Sequence, residues 1–336
     1  MKLVIAHRER LVREALRRSL ARSRFELVAQ AADMESLKKD CQRHAAPLLL
    51  VELELLGNKA ERLPDLIKSG VAVIALASSS ANSGAYEAMG HGALGLIKPP
   101  AIDDDGEVIG AQRLLSRMER LVGLVAETPR TQAPATSAKP SQHPPILAIG
   151  ASTGGPLALA KVLGELTPDF EAAVIVVQHI EGEFSDGLAE WLGGQCRLPV
   201  ALATRGAVPE PGKVYLAGPD GHLVLSPSFH FGRQAAQQGE LHVPSVNALF
   251  LSLAEQSCPG AAVILTGMGS DGAAGMTALH RRGWLTLAQD EASSVVYGMP
   301  RAAFEAGAVK QLLALHAIAP ALARHFRKRF SGKQAR

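Results

Sequence analysis

The stretch Pro145-Ile146-Leu147-Ala148-Ile149-Gly150-Ala151-Ser152-Thr153-Gly154-Gly155-Pro156 constrains the fold most tightly. Ile146 to Ile149 is a short apolar run, which reads as a buried strand. Leu157 to Leu166 carries apolar residues at helical spacing, and Pro156 suits a first helical position. A strand, a glycine-rich turn and a helix in direct succession open a parallel α/β unit. Gly150-Ala151-Ser152-Thr153-Gly154 also fits G-x-S-x-G, the pattern of a nucleophile on a strand-to-helix turn. The helix start leaves amide N–H groups free to face an anion. A glycine-rich turn that binds a phosphate, or nothing, has the same pattern. A serine nucleophile needs a base and an orienting carboxylate at the same sheet edge.

The chain of 336 residues is long enough for about two domains. Its composition, 47% hydrophobic and 20% charged, supports sizeable cores, and a net charge of +3 is too small to argue for nucleic acid. Cys41, Cys196 and Cys258 form no C-x-x-C pair and are odd in number, against a disulfide framework or a zinc site. MKLVIAHRER is too short an apolar start for a signal peptide, and no stretch approaches the roughly 18 residues of a membrane helix. The expectation is a cytoplasmic protein that needs no cofactor or metal, with no nucleic acid bound and no membrane insertion.

Residues 1–125 alternate strand and helix patterns. Strands are expected at Leu3–Ala6, Glu26–Ala29, Leu48–Leu53, Val71–Ala77 and Leu94–Ile97. Helices are expected at Glu9–Arg22, Met34–His44, Ala60–Ser69, Gly84–Met89 and Ala111–Val125. This order implies a doubly wound parallel sheet, with ligands at the carboxyl ends of the strands. Tyr86 to Pro99 resembles the end of a response-regulator receiver domain, with Ser78 matching that family's hydroxyl residue and Lys98 its lysine. The resemblance implies an aspartate after strand three and an acidic pair after strand one to hold Mg²⁺. Here Glu52 stands at the acceptor position, and His7 and Arg8 at the acidic pair. A hard cation wants carboxylate oxygens, so Glu52 is expected to pair with Lys98 or Arg8 instead. Asp103, Asp104 and Asp105 are expected to start the last helix. The reading is a receiver that takes up no phosphoryl group.

Residues 126–144 are rich in Pro, Ala, Ser and Thr and read as a tether. Residues 145–336 form a second domain. Ala172 to Val177 is a buried central strand ending in Gln178-His179, and Ala262 to Thr266 another, ending in Gly267-Met268-Gly269-Ser270-Asp271-Gly272. Phe184–Gly193 and Pro244–Gln256 read as helices, Val214–Ser226 as a hairpin around Gly218-Pro219-Asp220-Gly221, and Gln234–Gly239 as a polar loop. His222 is read as structural. The six basic residues from Ala323 to Arg336 read as a solvated helix end and tail. Ser152, His179 and Asp271 each follow an apolar strand, in the order Ser, His, Asp. An α/β-hydrolase would place the acid before the histidine, so that fold is disfavoured, but a triad is defined by geometry and not by order.

The motifs around Ser152, His179 and Asp271, with Tyr215 to Asp220, Pro244-Ser245-Val246 and Ala288 to Pro300, resemble the chemotaxis protein-glutamate methylesterase family. The resemblance spans receiver, linker and catalytic domain. It implies two doubly wound parallel-sheet domains, a receiver-like (flavodoxin-like) one and a Rossmann-like methylesterase one. It implies hydrolysis of glutamate methyl esters on methylated chemoreceptors, deamidation of receptor glutamines, and a chemosensory histidine kinase as a second partner. It matches Ser152 to the nucleophile, His179 to the base, Asp271 to the orienting acid and Met268 to a backbone oxyanion donor. His242-Val243 stand where basic residues are usual, and Asn247 where an aspartate is usual. Two rivals remain. One is a signalling scaffold whose pseudo-receiver binds a partner beside a vestigial esterase. The other is a nucleotide-binding module, disfavoured because G-x-G-x-x-G and Walker spacing are absent.

Overall fold

The computed structural model describes residues 1–56 (save 22 and 45), 63, 71–77, 88–89, 93–122 and 143–330 (save 238, 239, 241 and 259). The chain divides into two compact units, Met1–Leu124 and Val125–Arg336. The tether, Ser78 and most of the expected helices Ala60–Ser69 and Gly84–Met89 lie outside the described residues.

In the first unit, β1 (Lys2–Ala6), β2 (Glu26–Ala31), β3 (Leu48–Glu52), β4 (Ala72–Leu76) and β5 (Gly95–Ile97) form one parallel sheet in the order β2-β1-β3-β4-β5. This is the flavodoxin-like order of receiver domains. One face is covered by helix Arg10–Leu20, which buries Ala15, Leu16, Ser19 and Leu20, and by helix Ala111–Val122, which buries Leu114 and Met118. Both pack on Leu3, Ile5, Leu48, Leu50, Ile74 and Leu76. The aspartate run is not a helix start. Strands β6 (Ala101–Ile102) and β7 (Val108–Ile109) pair antiparallel, and Asp103 closes the turn between them by accepting from the amides of Asp105 (3.1 Å) and Glu107 (2.8 Å). An Asx side chain that bonds the backbone ahead of it favours a turn over a helix, and here it outweighed the dipole argument.

In the second unit seven parallel strands run in the order β10-β11-β9-β8-β14-β15-β16. They are β8 (Ile146–Ala151), β9 (Ala173–Gln178), β10 (Val200–Leu202), β11 (Val214–Leu216), β14 (Gly260–Ile264), β15 (Leu285–Gln289) and β16 (Gln311–Leu313). Central strands β8, β9 and β14 are buried along their whole length, which is why they read as unbroken apolar runs. The expected hairpin is displaced. Val214–Leu216 joins the parallel sheet, and the hairpin pairs β12 (His222–Leu225) with β13 (Phe231–Gln234). Gly218 to Gly221 therefore connects two sheets and does not reverse a strand. Its Pro-Asp-Gly chemistry marks a turn without saying what the turn joins.

The helices fall at Ser185–Gln195 and Val246–Ala254, within two residues of the sequence boundaries at most ends. Helix Val246–Ala254 buries Val246, Leu249, Phe250 and Leu253, each worth roughly 1.5–3 kcal/mol relative to exposure. It lies directly on β8: a Cβ on Gly150 would stand 2.4 Å from Val246 Cγ1, so only glycine admits the helix. The last helix is Leu315–Phe330. No helix among the described residues is long and apolar enough to cross a membrane.

Candidate active site

Strands β9, β8 and β14 are neighbours and parallel, so their carboxyl ends share one edge. Ser152 follows β8, His179 follows β9, and Thr266 to Asp271 follow β14. The backbone there is stitched across strands. Ser152 N–H donates to the Thr266 carbonyl (3.1 Å), and His179 N–H to the Ala151 carbonyl (3.0 Å). Gln178 Nε2 donates to the carbonyls of Ser152 (2.8 Å) and His179 (3.1 Å), tying the serine and histidine turns together. Gly154, in the left-handed region at φ 76°, turns the chain into helix Gly155–Gly164. Ser152 is half-buried, and His179 and Asp271 are buried.

His179 Nε2 lies 2.8 Å from Asp271 Oδ2. Asp271 Oδ2 also accepts from Val246 N–H (2.7 Å), and Oδ1 accepts from Ser245 Oγ and Asn247 N–H (both 2.9 Å). An ionised carboxylate only accepts, so the ring proton is on Nε2, and Nδ1 keeps the basic lone pair. Ser245 caps helix Val246–Ala254 and also accepts from Ala248 N–H (3.3 Å). Asp271 thus sits at the positive end of that helix. Burial opposes its ionisation, but the His179 bond and charge and the amides of Asn247 and Val246 outweigh it and hold the carboxyl well below the usual range.

Met268 is half-buried between Gly267 and Gly269. Gly267 is held by its amide on the Val296 carbonyl (3.0 Å) and by Gly298 and Met299 amides on its own carbonyl (3.0 and 2.8 Å). Among the described residues no acceptor takes the Met268 N–H. A backbone N–H beside a held glycine is a donor of the kind that a developing oxyanion can use.

Several participants escaped the sequence reading. Ser245, Val246 and Asn247 come from a helix that begins far along the chain from Asp271, and only the tertiary fold shows that its start meets that carboxylate. His242 stacks on His179 with ring centroids 4.3 Å apart and planes 8° from parallel. Asn247 Oδ1 accepts from Gly275 N–H (2.8 Å) at the start of helix Ala273–Arg281, so the amide fills a capping role without a second carboxylate beside Asp271. His222, read as structural, is buried and bonds both Glu240 and the Ser245 amide. The Pro244-Ser245-Val246 motif was the available signal for the cap.

In the first unit Glu52 ends β3, and His7 and Arg8 follow β1. Arg8 is the partner of Glu52, by its amide (2.6 Å to Oε2) and its guanidinium (Nε 3.2 Å and Nη2 3.1 Å to Oε1). His7 Nδ1 accepts from Glu9 N–H (3.1 Å) and stands 3.5 Å from Glu52 Oε2. Burial lowers the His7 pKa against the raising effect of Glu52, which keeps the ring neutral. Lys98 follows β5, and Ser78 lies outside the described residues. These residues do not fit Mg²⁺: a guanidinium occupies the Glu52 carboxylate, and His7 and Arg8 stand where an acidic pair would follow β1. Among the described residues no group of three or more His, Cys, Asp or Glu side chains is placed to hold a metal ion.

A parallel α/β edge that carries a serine on the strand next to a buried histidine–carboxylate pair matches a class of hydrolytic site. The family model described as CheB methylesterase matches residues 147–322. Over 329 residues the chain is 37% identical to a protein-glutamate methylesterase/protein-glutamine glutaminase 2 of Cupriavidus metallidurans, covering 96% of this chain and 97% of that protein. A protein-glutamate methylesterase/protein-glutamine glutaminase 1 of Cupriavidus pinatubonensis is 38% identical over 333 residues, with 96% of each covered. The crystal structure of the Thermotoga maritima CheB methylesterase catalytic domain superposes with a TM-score of 0.52 at 33% identity, over 55% of this chain and 100% of that one. The chain belongs to the CheB methylesterase family.

Proposed function

We propose that the protein hydrolyses glutamate methyl esters on methylated chemoreceptors, and deamidates receptor glutamines, through Ser152, His179 and Asp271. The observation that carries this is the His179 Nε2–Asp271 Oδ2 contact of 2.8 Å at the sheet edge that also holds Ser152. Ser152 Oγ attacks the ester carbonyl and its proton passes to His179 Nδ1, with Asp271 stabilising the imidazolium. The Met268 amide donates to the tetrahedral oxyanion. Methanol leaves with the proton from Nδ1. Water, deprotonated at the same nitrogen, releases the glutamate from the acyl-serine. With glutamine, ammonia is the leaving group.

Arg8 neutralises Glu52 in the first unit, where a receiver would hold a cation. This unit therefore offers no phosphoryl acceptor, and a chemosensory kinase is a partner only as the family implies it. The test is a fluorophosphonate label and a methanol-release assay on methylated receptors. Both signals are lost in Ser152→Ala and His179→Ala. Wild-type turnover in Ser152→Ala would overturn the assignment, and so would a wild-type chain that releases no methanol.

A further inference from the structure

Ser245 holds Asp271 through its hydroxyl, and the amides of Val246 and Asn247, which follow it directly, add two more bonds to the same carboxylate. What holds Ser245 is on a different element. Its N–H donates to Nδ1 of His222 (3.0 Å), at the start of hairpin strand β12. The other ring nitrogen, Nε2, lies 2.5 Å from Glu240 Oε2, and the same carboxylate accepts from Gln237 N–H (3.0 Å). Glu240 can only accept, so it keeps the proton on His222 Nε2 and leaves Nδ1 as the lone-pair acceptor for Ser245. The His222 side chain is 3% exposed, so water is a poor substitute partner for either nitrogen. Glu240, by contrast, lies at the surface.

We propose that His222 is a positioning residue for this hydrolysis: with Glu240 it fixes the Ser245 cap, and through that cap the carboxylate that orients His179. The inference rests on the triad reading above. His222 bonds neither Ser152 nor His179 and contributes through placement alone. A bonded chain runs Glu240, His222, Ser245, Asp271, His179, with the proton position set at both histidines by a carboxylate at Nε2.

The experiment is steady-state methanol release by the full-length protein, with kcat expressed per serine titrated by fluorophosphonate so that unfolded chains do not count. His222→Leu lowers kcat by about 10- to 100-fold, because small displacements of a positioned group cost that much. KM stays within about twofold, since no substrate contact is removed. His222→Asn, whose carboxamide oxygen can stand near the Nδ1 position, recovers most of the loss. Glu240→Leu, a surface change, shows a smaller fall in kcat in the same direction, and decides the matter alone if His222→Leu yields no folded protein. A kcat unchanged in Glu240→Leu and His222→Leu, a rise in KM alone, or an Asn variant no better than the Leu variant overturns the proposal. Turnover retained in Ser152→Ala overturns the triad reading itself.

Discussion

Replacing Asp271 with asparagine probes the site where its hydrogen bonding is fullest. Oδ1 accepts from Ser245 Oγ and Asn247 N–H, and Oδ2 from Val246 N–H and His179 Nε2. An amide offers one acceptor oxygen and one donor NH₂, so the match fails in either orientation. With its oxygen in the Oδ2 place, the NH₂ faces the Asn247 amide. The Ser245 hydroxyl can rotate to accept, but a backbone N–H cannot. With the NH₂ in the Oδ2 place, the Val246 amide loses its acceptor. His179 must then accept at Nε2, which moves the ring proton to Nδ1 and removes the base. One unmatched backbone donor costs about 1–3 kcal/mol, and each kcal/mol lowers the Tm of a unit this size by roughly 2–4 °C. Both orientations also remove the charge that stabilises the imidazolium. The equivalent exchange in a serine protease lowers kcat on the order of 10⁴-fold, about 5 kcal/mol of barrier. The expected result is a kcat down by about 10³- to 10⁴-fold with KM little changed, read by methanol release, and a Tm lower by several degrees by circular dichroism. The carboxyl is held low in the folded state, so its ionisation stabilises the fold above about pH 4 and that share is lost only as pH falls through the lower folded value. The stability gap between wild type and variant is thus flat from neutral pH to about 4 and narrows in stronger acid. A variant with kcat within about threefold of wild type, or a gap that closes near neutrality, would refute the reasoning.

Three further outcomes are expected. In Gly155→Ala a Cβ would stand 2.0 Å from Gln178 Oε1, and Gln178 ties the serine and histidine turns; methanol release falls by at least about tenfold, and full activity would show that the tie is dispensable. Acetyl phosphate with Mg²⁺ leaves wild-type turnover unchanged because Arg8 occupies Glu52, whereas activation that vanishes in Glu52→Gln would mean the unit does accept a phosphoryl group. Residues 145–336 alone give a cooperative melt, because all seven strands of that sheet and the triad lie inside the span; an unfolded fragment beside a folded full chain would show the boundary is wrong.

Much of this protein is legible without coordinates. Buried parallel strands must be apolar on both faces, so Ile146–Ile149, Ala172–Val177 and Ala262–Leu265 announce themselves. The carboxyl ends of such strands mark the edge where side chains can act, which puts Ser152, His179 and Asp271 on one edge from the sequence alone. Local turn chemistry was less informative about destination. Gly218 to Gly221 reads as a hairpin turn, yet Val214–Leu216 belongs to the parallel sheet, because which strand pairs with β9 is decided by long-range packing.

The tertiary structure alone decided how the carboxylate is held and which nitrogen is basic. Ser245, Val246 and Asn247 reach Asp271 because helix Val246–Ala254 lies against β8, and it can lie there because Gly150 has no side chain. The choice of Arg8 from the two partners expected for Glu52, and the stack of His242 on His179, are of the same kind. A sequence records residue type and local period, and both depend on neighbours in the chain. Hydrogen bonds across elements depend on distances that exist only once the apolar faces have packed, and there the buried donors and acceptors must match one another.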